Sequence, residues 1–364
     1  MMAAYGYLYR GGLSRLDPEH AHGLALHGLR GTARIPGGSM TLRQLAPEPD
    51  DRLRLRVWDL PFVNPLGVAA GLDKDGVAVE ALLALGFSHV EVGTVTLRPQ
   101  PGNARPRVWR APEHAAVLNA MGFPSSGAAA VRSRLLPLRP PGIIGINIGK
   151  NADTPLERAT ADYVALVEAL FEVAQYITVN VSSPNTSGLR SLQMADQLAA
   201  LLAELRAANE RMGKILRYPP RPLLVKIAPD LTDAELEGVA EAAVANGAVG
   251  IIATNTTVER AGIDPRYAGH PGGLSGLPLR ERAQQVMRVL YRRVGGQVPL
   301  VGAGGIASGA DTVARIRSGA TLVQLYTGFI YGGPALPGSI LREISADADR
   351  HGWRSIGDLV GIDA

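Results

Sequence analysis

The chain has 364 residues, of which 46% are hydrophobic, and it carries a formal net charge of +4. That length and apolar content suffice for one large α/β domain with an appendage, or for two ordinary domains. The lack of cysteine excludes disulfides, thiolate metal sites and a cysteine nucleophile or acid. Arginines are scattered along the chain instead of clustered, which argues against nucleic acid as a partner.

Residues 1–45 are predicted to form a helical extension. Leu8 and Leu13 belong to an apolar series at helical spacing, and Asp17-Pro18 is typical of the start of a second helix. With Arg10 among its polar positions, the helix pair could lie on an anionic bilayer, or it could simply cap the rest of the protein. No stretch approaches the ~18 apolar residues of a membrane-spanning helix.

From about residue 62, short apolar runs alternate with longer segments of helical period, which indicates βα units and a parallel sheet. The predicted strands are 66–71, 90–96, 143–149, 177–182, 223–228, 249–254, 300–304 and 322–327. They predict a (β/α)8 TIM barrel with an N-terminal helical extension, divided into residues 1–45 and 46–364. Residues 46–61 are expected to form a strand pair or loop that closes the amino end of the barrel.

The predicted helices between these strands have recognisable starts. Thr232 with Glu235 makes a capping box, and Ser308 precedes Asp311 in the same way. The predicted helices are 77–85, 156–173, 194–209, 233–245, 279–294 and 310–318.

The polar residues of the repeating units collect after the strands, at the carboxyl edge where barrels of this kind hold their chemistry. Gly304-Gly305 precedes a predicted helix, and Tyr326-Thr327-Gly328 follows the last strand, so both can offer backbone N–H groups to a phosphate. A glycine pair alone is more often a tight turn. The position of these two segments, after strands seven and eight of the predicted barrel, favours a phosphate site.

Lys226 ends a very apolar strand, where its ammonium would be poorly solvated unless an anion meets it. It could form a structural salt bridge, or it could face a flavin whose reduced ring carries negative charge. Four asparagines could then read the carbonyl and N–H groups of a planar heterocycle stacked on that flavin: Asn119, Asn180, Asn185 and Asn255.

A series of longer motifs runs in order along nearly the whole chain: LGVAAGLDKDG, EVGTVTLRPQPGNARPRVWR, GINIGKNADTP, VNVSSPNTSGL, LLVKIAPDL, IIATNTT, GGLSG, VGAGGIASG and LVQLYTGFIYGGP. Together they closely resemble the class 2 dihydroorotate dehydrogenases, which are FMN enzymes of pyrimidine synthesis that pass electrons to a membrane quinone. Motifs of this length at consistent spacing make the resemblance specific.

The resemblance implies a set of site residues. FMN would be bound by Ala70, Gly71, Leu72, Asp73, Lys74, Thr94, Asn147, Asn180, Lys226, Thr254, Gly276, Gly304, Gly305, Tyr326 and Thr327. Dihydroorotate would be held by Lys74, Asn119, Met121, Gly122, Phe123, Asn180, Asn185, Asn255 and Thr256. Arg110 and Tyr326 match residues near the inner end of the family's quinone tunnel. No metal is implied.

Ser183 matches the family's catalytic base, a position that is cysteine in relatives with a soluble electron acceptor. A hydroxyl is a poor base, so it would need a relay through water or through Thr186 or Thr256. One loop departs from the family's Asn-Arg-Met/Tyr-Gly-Phe-Asn, because it has Ala120 and Pro124. Substrate contacts are therefore expected through Asn119 and the loop backbone, and loss of the arginine could alter affinity or loop motion.

The implied reaction is oxidation of (S)-dihydroorotate to orotate in de novo pyrimidine (UMP) biosynthesis, with FMN accepting the hydride and a membrane quinone receiving the electrons. The resemblance also implies peripheral contact of the N-terminal helices with the cytoplasmic face of a bacterial cell membrane, and a monomer is expected. Two alternatives stay open: an FMN-dependent reductase of uridine in RNA, and a non-catalytic flavin-binding barrel.

Overall fold

Eight parallel strands close into a barrel in the computed structural model, which describes residues 2–364, with the backbone alone for residues 2–4, 8 and 10. The predicted roles of the Leu8 and Arg10 side chains lie outside the described residues. The strands in chain order are β1 (Leu55–Val57), β2 (Leu60–Phe62), β3 (Leu66–Val68), β4 (His89–Val95), β5 (Val108–Ala111), β6 (Ala116–Asn119), β7 (Ile143–Ile148), β8 (Tyr176–Asn180), β9 (Leu223–Ile227), β10 (Gly250–Ala253), β11 (Gly273–Gly276), β12 (Leu300–Ala303) and β13 (Leu322–Leu325).

Helices cover the outside of the barrel and form the extension. In chain order they are α1 (Met2–Gly11), α2 (Pro18–Arg34), α3 (Gly38–Arg43), α4 (Val79–Ala84), α5 (Ala128–Leu135), α6 (Ala159–Leu170), α7 (Ala195–Leu216), α8 (Asp233–Ala245), α9 (Arg280–Val294), α10 (Gly309–Arg317), α11 (Thr327–Gly332) and α12 (Leu336–His351).

The barrel order is β10-β12-β13-β3-β4-β7-β8-β9, so the predicted (β/α)8 fold is confirmed. All eight predicted strands are present and differ from the prediction only at their ends. The Thr232–Glu235 capping box starts α8, and the Ser308 hydroxyl accepts from the Asp311 N–H at the start of α10. Local signals therefore located most of the repeating elements.

Alternate residues of each barrel strand face the interior, which is apolar at one end and polar at the other. At the amino end, Tyr176, Leu224 and Val301 pack in one cluster. The antiparallel pair β1–β2 closes this end with Val57 and Phe62, which are 4% and 1% exposed. The predicted closing segment is thus a strand pair.

The sequence did not reveal the antiparallel sheet β11-β6-β5. Its strands are only four residues long and mix polar with apolar positions, so they carry no clear strand period. Helix α7 also continues past the predicted residue 209 to Leu216, because its buried face extends to Ala208 and Gly213. The sheet matters for function, since Asn119 lies at the end of β6.

The extension packs against the barrel through part of its surface and exposes the rest. Asp17 caps α2 by accepting from the N–H groups of Glu19 and His20, while Tyr7 and Leu24 are 73% and 61% exposed. None of the helices in residues 2–364 is long and apolar enough to cross a bilayer. A domain boundary after residue 45 falls between α3 and β1 and stays a prediction.

Phe62→Ala should lower the free energy of unfolding by about 3–5 kcal/mol, because it removes a fully buried ring from the closed end of the barrel. Urea unfolding measures the change. Val63→Ala is the matched control, since Val63 is 40% exposed and its loss should change stability by less than about 1 kcal/mol. Equal effects of the two substitutions would contradict the role of Phe62.

Candidate active site

A cavity opens where the carboxyl ends of the barrel strands meet. It encloses about 1010 Å³ including its open mouth. Its wall is formed by residues in or just after the carboxyl ends of β3, β4, β8, β9, β10, β12 and β13, together with residues of the β11-β6-β5 sheet and its loops.

Most residues predicted to bind cofactor or substrate lie in this wall: Ala70, Gly71, Lys74, Thr94, Asn119, Met121, Gly122, Phe123, Asn180, Ser183, Asn185, Lys226, Thr254, Asn255, Thr256, Gly276, Gly304, Gly305, Tyr326 and Thr327. They come together because the carboxyl ends of parallel strands share one rim of the barrel. The role assigned to each of them remains a prediction.

The other predicted site residues lie outside the wall. Leu72 is buried in the main hydrophobic core. Asp73 accepts from the N–H groups of Val77 and Ala78, both at 2.7 Å, so its carboxylate caps the turn before α4. Asn147 is fully buried. Arg110 lies on β5, away from the cavity wall.

Asn147 supports the wall from behind through hydrogen bonds. Its Oδ1 accepts from Thr94 Oγ1 at 2.6 Å and from Asn180 Nδ2 at 3.1 Å. Asn255 Nδ2 in turn donates to Ser182 Oγ at 3.0 Å. These contacts fix the side-chain amides before any ligand binds, which lowers the entropic cost of recognition.

The loop of residues 119–124 is tied to the segment quoted as VNVSSPNTSGL. Asn185 Nδ2 donates to both the backbone oxygen and Oδ1 of Asn119, each at 3.1 Å. Asn103 Nδ2 donates to the Ala120 carbonyl at 2.9 Å. Contacts through the backbone therefore hold this loop even though alanine replaces the family's arginine.

Ser183 lies at the cavity and is 5% exposed. Its Oγ accepts from the Asn185 N–H at 3.2 Å, and no carboxylate or imidazole of a described residue is hydrogen-bonded to it. Thr256 lines the same cavity, and Thr186 is 9% exposed in the same loop. Proton removal by Ser183 would therefore need a relay, as the sequence predicts.

Two lysines bring positive charge to the cavity. Burial lowers the pKa of Lys226, and the Glu91 carboxylate acts in the opposite direction. Lys74 donates to the Gly71 carbonyl at 2.6 Å, and burial lowers its pKa to about 8. Neither lysine forms an ion pair with a described residue, so the structural salt bridge considered for Lys226 is absent from the part of the chain that the structure describes. Both ammonium groups remain available to an anion.

The end of the cavity that suits a phosphate consists of the Gly304-Gly305 turn and the start of α11. The N–H groups of Gly304, Gly305, Thr327 and Gly328 donate to no described residue. Gly304 and Gly305 have φ values of +101° and +73°, which favour glycine. Beneath them, the buried guanidinium of Arg315 donates to the Gly304 carbonyl at 3.0 Å. That carbonyl is therefore occupied, while the N–H groups stay free for an anion.

Sequence reasoning missed several wall residues: Ala69, Pro124, Ser275, Leu279, Ala303, Ile306 and Gln324. Gln324 carried a usable signal, because it is a lone polar residue in the apolar strand β13, just as Lys226 is in β9. Ser275 hydrogen-bonds to Thr327 at 2.8 Å and lay within the motif GGLSG. The remaining residues of this set are apolar and carry no chemical signal.

The extension contacts the segment that precedes the substrate loop. Arg107 is 5% exposed and donates to both carboxylate oxygens of Glu19, at 3.0 and 2.8 Å. It also donates to the Asn103 carbonyl at 2.7 Å. Arg110 donates to the carbonyl of Leu13 at 2.8 Å and to that of Leu16. Two buried or half-buried arginines thus fasten the extension to the barrel.

A closed parallel barrel, with polar groups and two unpaired lysines at the carboxyl ends of its strands, defines the class of (β/α)8 barrel enzymes. Residues 52–347 match the dihydroorotate dehydrogenase family. Because this match covers well over half of its length, the chain belongs to the dihydroorotate dehydrogenase family.

Relatives and solved structures agree with this assignment. Proteins named dihydroorotate dehydrogenase (quinone) are 51% identical in Chloroflexus aurantiacus, covering 91% of this chain and 93% of that protein, and 48% identical in Thermobifida fusca, covering 99% and 96%. A crystal structure of DHODH from Eimeria tenella in complex with ferulenol superposes with a TM-score of 0.87 at 33% identity, covering 98% of both chains.

Lys74→Met should stabilise the ligand-free protein at pH 7. Because burial lowers the pKa of Lys74 from 10.5 to about 8, the folded protein binds fewer protons than the unfolded chain between these pH values. The ammonium therefore destabilises the folded state below pH 8, and partial exposure reduces this cost to about 2 kcal/mol.

Urea unfolding of Lys74→Met and of the unmodified protein at several pH values measures this difference. The gain should shrink as pH rises from about 8 towards 10.5. Lys214→Met is the control, because Lys214 is exposed on α7. Absence of a gain at pH 7, or a gain that grows at higher pH, would contradict the proposed cost of this lysine.

Proposed function

We propose that this protein oxidises (S)-dihydroorotate to orotate in pyrimidine biosynthesis, with FMN as hydride acceptor and a quinone as final electron acceptor. The observation that carries the proposal is the meeting of Ser183, Lys226 and the asparagines in one cavity. The names of the close relatives favour this reaction over reduction of uridine in RNA and over a non-catalytic flavin site.

The groups of the cavity fit FMN. Gln324 Oε1 is buried without a hydrogen-bond partner among the described residues, and it belongs to a side chain of the cavity wall. Lys226 supplies a cation for the electron-rich edge of a flavin ring, and the free N–H groups after β12 and β13 suit a phosphate. When bound, FMN supplies the hydride acceptor of the reaction. The wall residues predicted from the sequence are proposed to hold it.

Dihydroorotate is an anionic pyrimidine with carbonyl and N–H groups around its ring. Lys74 is proposed to meet its carboxylate, since this ammonium has no ion-pair partner among the described residues. Asn119, Asn180, Asn185 and Asn255 are proposed to pair with the ring, because each amide offers both a donor and an acceptor. Such pairing would hold C5 and C6 in position for reaction.

The reaction removes a proton from C5 and a hydride from C6 of the substrate. Ser183 is proposed to take the proton through its Oγ and to pass it outward. A serine hydroxyl holds a proton weakly, so transfer onward through water, Thr186 or Thr256 must accompany its removal from the substrate. The depth of Ser183 in the cavity limits competing contact with bulk water.

Residues 1–45 are proposed to admit the quinone and to touch the cytoplasmic face of a bacterial cell membrane. Large apolar side chains are exposed on this extension: Tyr7, Leu16, Leu24, Ile35 and Met40. Such a surface suits peripheral contact with lipid. Arg110 and Tyr326 are proposed to lie near the inner end of the quinone path.

The direct test is anaerobic addition of dihydroorotate to the purified yellow protein, followed by a quinone. Loss of colour on the first addition and its return on the second would support both half-reactions. Protein that binds no flavin, or a flavin that dihydroorotate does not bleach, would refute the proposed function.

Ser183→Ala should slow flavin reduction by dihydroorotate by about 10²–10⁴-fold while FMN stays bound, because only the proton acceptor is removed. Stopped-flow absorbance under anaerobic conditions measures the rate. Ser187→Ala, an exposed serine of the same loop, is the control and should reduce its flavin at the normal rate. Normal reduction of the Ser183→Ala flavin would remove Ser183 from the base role.

Arg110→Met should impair the half-reaction with quinone and leave flavin reduction by dihydroorotate nearly unchanged. Loss of the hydrogen bonds to the Leu13 and Leu16 carbonyls loosens the extension, so the KM for quinone should rise roughly tenfold while the rate of flavin reduction changes little. Steady-state assays with varied quinone, together with anaerobic reduction, measure both. The control Arg132→Met removes a half-buried arginine on α5, which pairs with Glu172 and makes no hydrogen bond with the described residues of the extension. An equal effect on both half-reactions would contradict this division.

A further inference from the structure

Glu91 lies in the middle of β4, inside the barrel, with no exposure to solvent. Glu91 has no role in the proposed reaction. Its carboxylate accepts hydrogen bonds from four side chains on three other strands: Asn147 Nδ2 at 2.8 Å, Gln324 Nε2 at 2.9 Å, Tyr176 OH at 3.1 Å and Thr178 Oγ1 at 3.2 Å. Burial of a carboxylate is unfavourable unless such partners are present.

Two of these partners are side-chain amides, whose nitrogen atoms only donate. Because Asn147 turns its nitrogen towards Glu91, its Oδ1 is free to accept from Thr94 and Asn180. Because Gln324 turns its nitrogen towards Glu91, its Oε1 is left buried and without a partner among the described residues. One carboxylate therefore determines the direction of two amides that serve the cavity.

The charge of Glu91 also acts on the cavity. Burial lowers the pKa of Lys226, which the Glu91 carboxylate counteracts. Two other titratable groups of this interior are neutral: burial, followed by Glu91, raises the pKa of Tyr176 well above its usual range, and burial lowers the pKa of His89 to about 3. Among the described residues, Glu91 is thus the carboxylate that favours the protonated form of Lys226.

We propose that Glu91 is a positioning residue of the flavin site, which orients the Asn147 and Gln324 amides so that Gln324 offers a hydrogen-bond acceptor to the bound ring. This inference rests on the proposed function and deepens it. The acceptor at Gln324 calls for an N–H donor, and the oxidised flavin ring has one N–H group. Asn147 meanwhile keeps Thr94 and Asn180 in place at the wall.

Glutamine at position 91 would preserve the shape of the side chain but not its hydrogen bonding. Only one of its two terminal atoms can accept. If its nitrogen faces Asn147, that amide must reverse, and its contacts with Thr94 and Asn180 change. If its nitrogen faces Gln324, that amide must reverse and present a donor to the cavity. Both arrangements disturb the site.

Glu91→Gln should weaken FMN binding roughly tenfold and shift the visible absorption bands of the bound flavin. Fluorescence of FMN released on dilution of the purified protein measures the affinity. Asp162→Asn is the matched control, since Asp162 is a buried carboxylate that accepts from Asn151 and Thr154 outside this network. Unchanged affinity and spectrum in Glu91→Gln would overturn the proposal, as would equal changes in the control.

The double variant Glu91→Gln/Gln324→Glu separates orientation from a merely structural role. In this variant, the amide oxygen at position 91 accepts from Asn147, and the carboxylate at position 324 offers an acceptor to the ligand. The barrel therefore still contains one carboxylate. FMN affinity and spectrum should recover to within about threefold of the unmodified protein. A double variant that binds FMN no better than Glu91→Gln would overturn the orienting role.

Gln324→Met keeps the test decisive if Glu91→Gln does not fold, because methionine is similar in shape and uncharged. It removes the acceptor and should weaken FMN binding roughly tenfold. Normal affinity in this variant would overturn the proposal. Failure of the proposed function is distinct, since unmodified protein would then bind no FMN or resist bleaching by dihydroorotate.

Discussion

Burial of one carboxylate and one ammonium inside a closed barrel is the constraint on which the rest of this structure depends. An uncompensated charge in such an interior costs several kcal/mol, so Glu91 requires its full set of hydrogen bonds. Those bonds join β4 to β7, β8 and β13 at one level of the barrel. The polar groups of the cavity wall rest on this level, and the apolar cluster closed by Phe62 lies at the amino end.

The two ends of the barrel interior divide the physical tasks between them. Apolar burial at the amino end contributes stability, whereas burial at the carboxyl end disfavours the charged forms of Lys74 and Lys226. Sites that bind anions commonly accept such a cost, because the same charges interact with the ligand. Gln324, whose Oε1 has no partner among the described residues, belongs to this end as well.

A series of polar contacts connects the extension to the loop of residues 119–124. Glu19 of α2 pairs with Arg107, Arg107 donates to the Asn103 carbonyl, and Asn103 donates to the Ala120 carbonyl. This chain of contacts runs from the segment proposed to meet the membrane to the loop proposed to contact the substrate. The loop is held through the carbonyl groups of Asn119 and Ala120, so these contacts do not depend on the side chain at position 120.

The sequence by itself determined the eight strands, most helix starts and most wall residues, because these depend on local period, capping and the order of short motifs. It missed the β11-β6-β5 sheet, whose short strands have no period of their own, and it did not show that the side chains of Leu72 and Asp73 serve the core and a turn. Only the tertiary structure decided that Asn147 acts from behind the wall, that Lys226 lacks an ion-pair partner among the described residues, and that Glu91 joins four strands. Such roles depend on which side chains meet across the closed barrel, and distances between strands remote in sequence leave no local pattern.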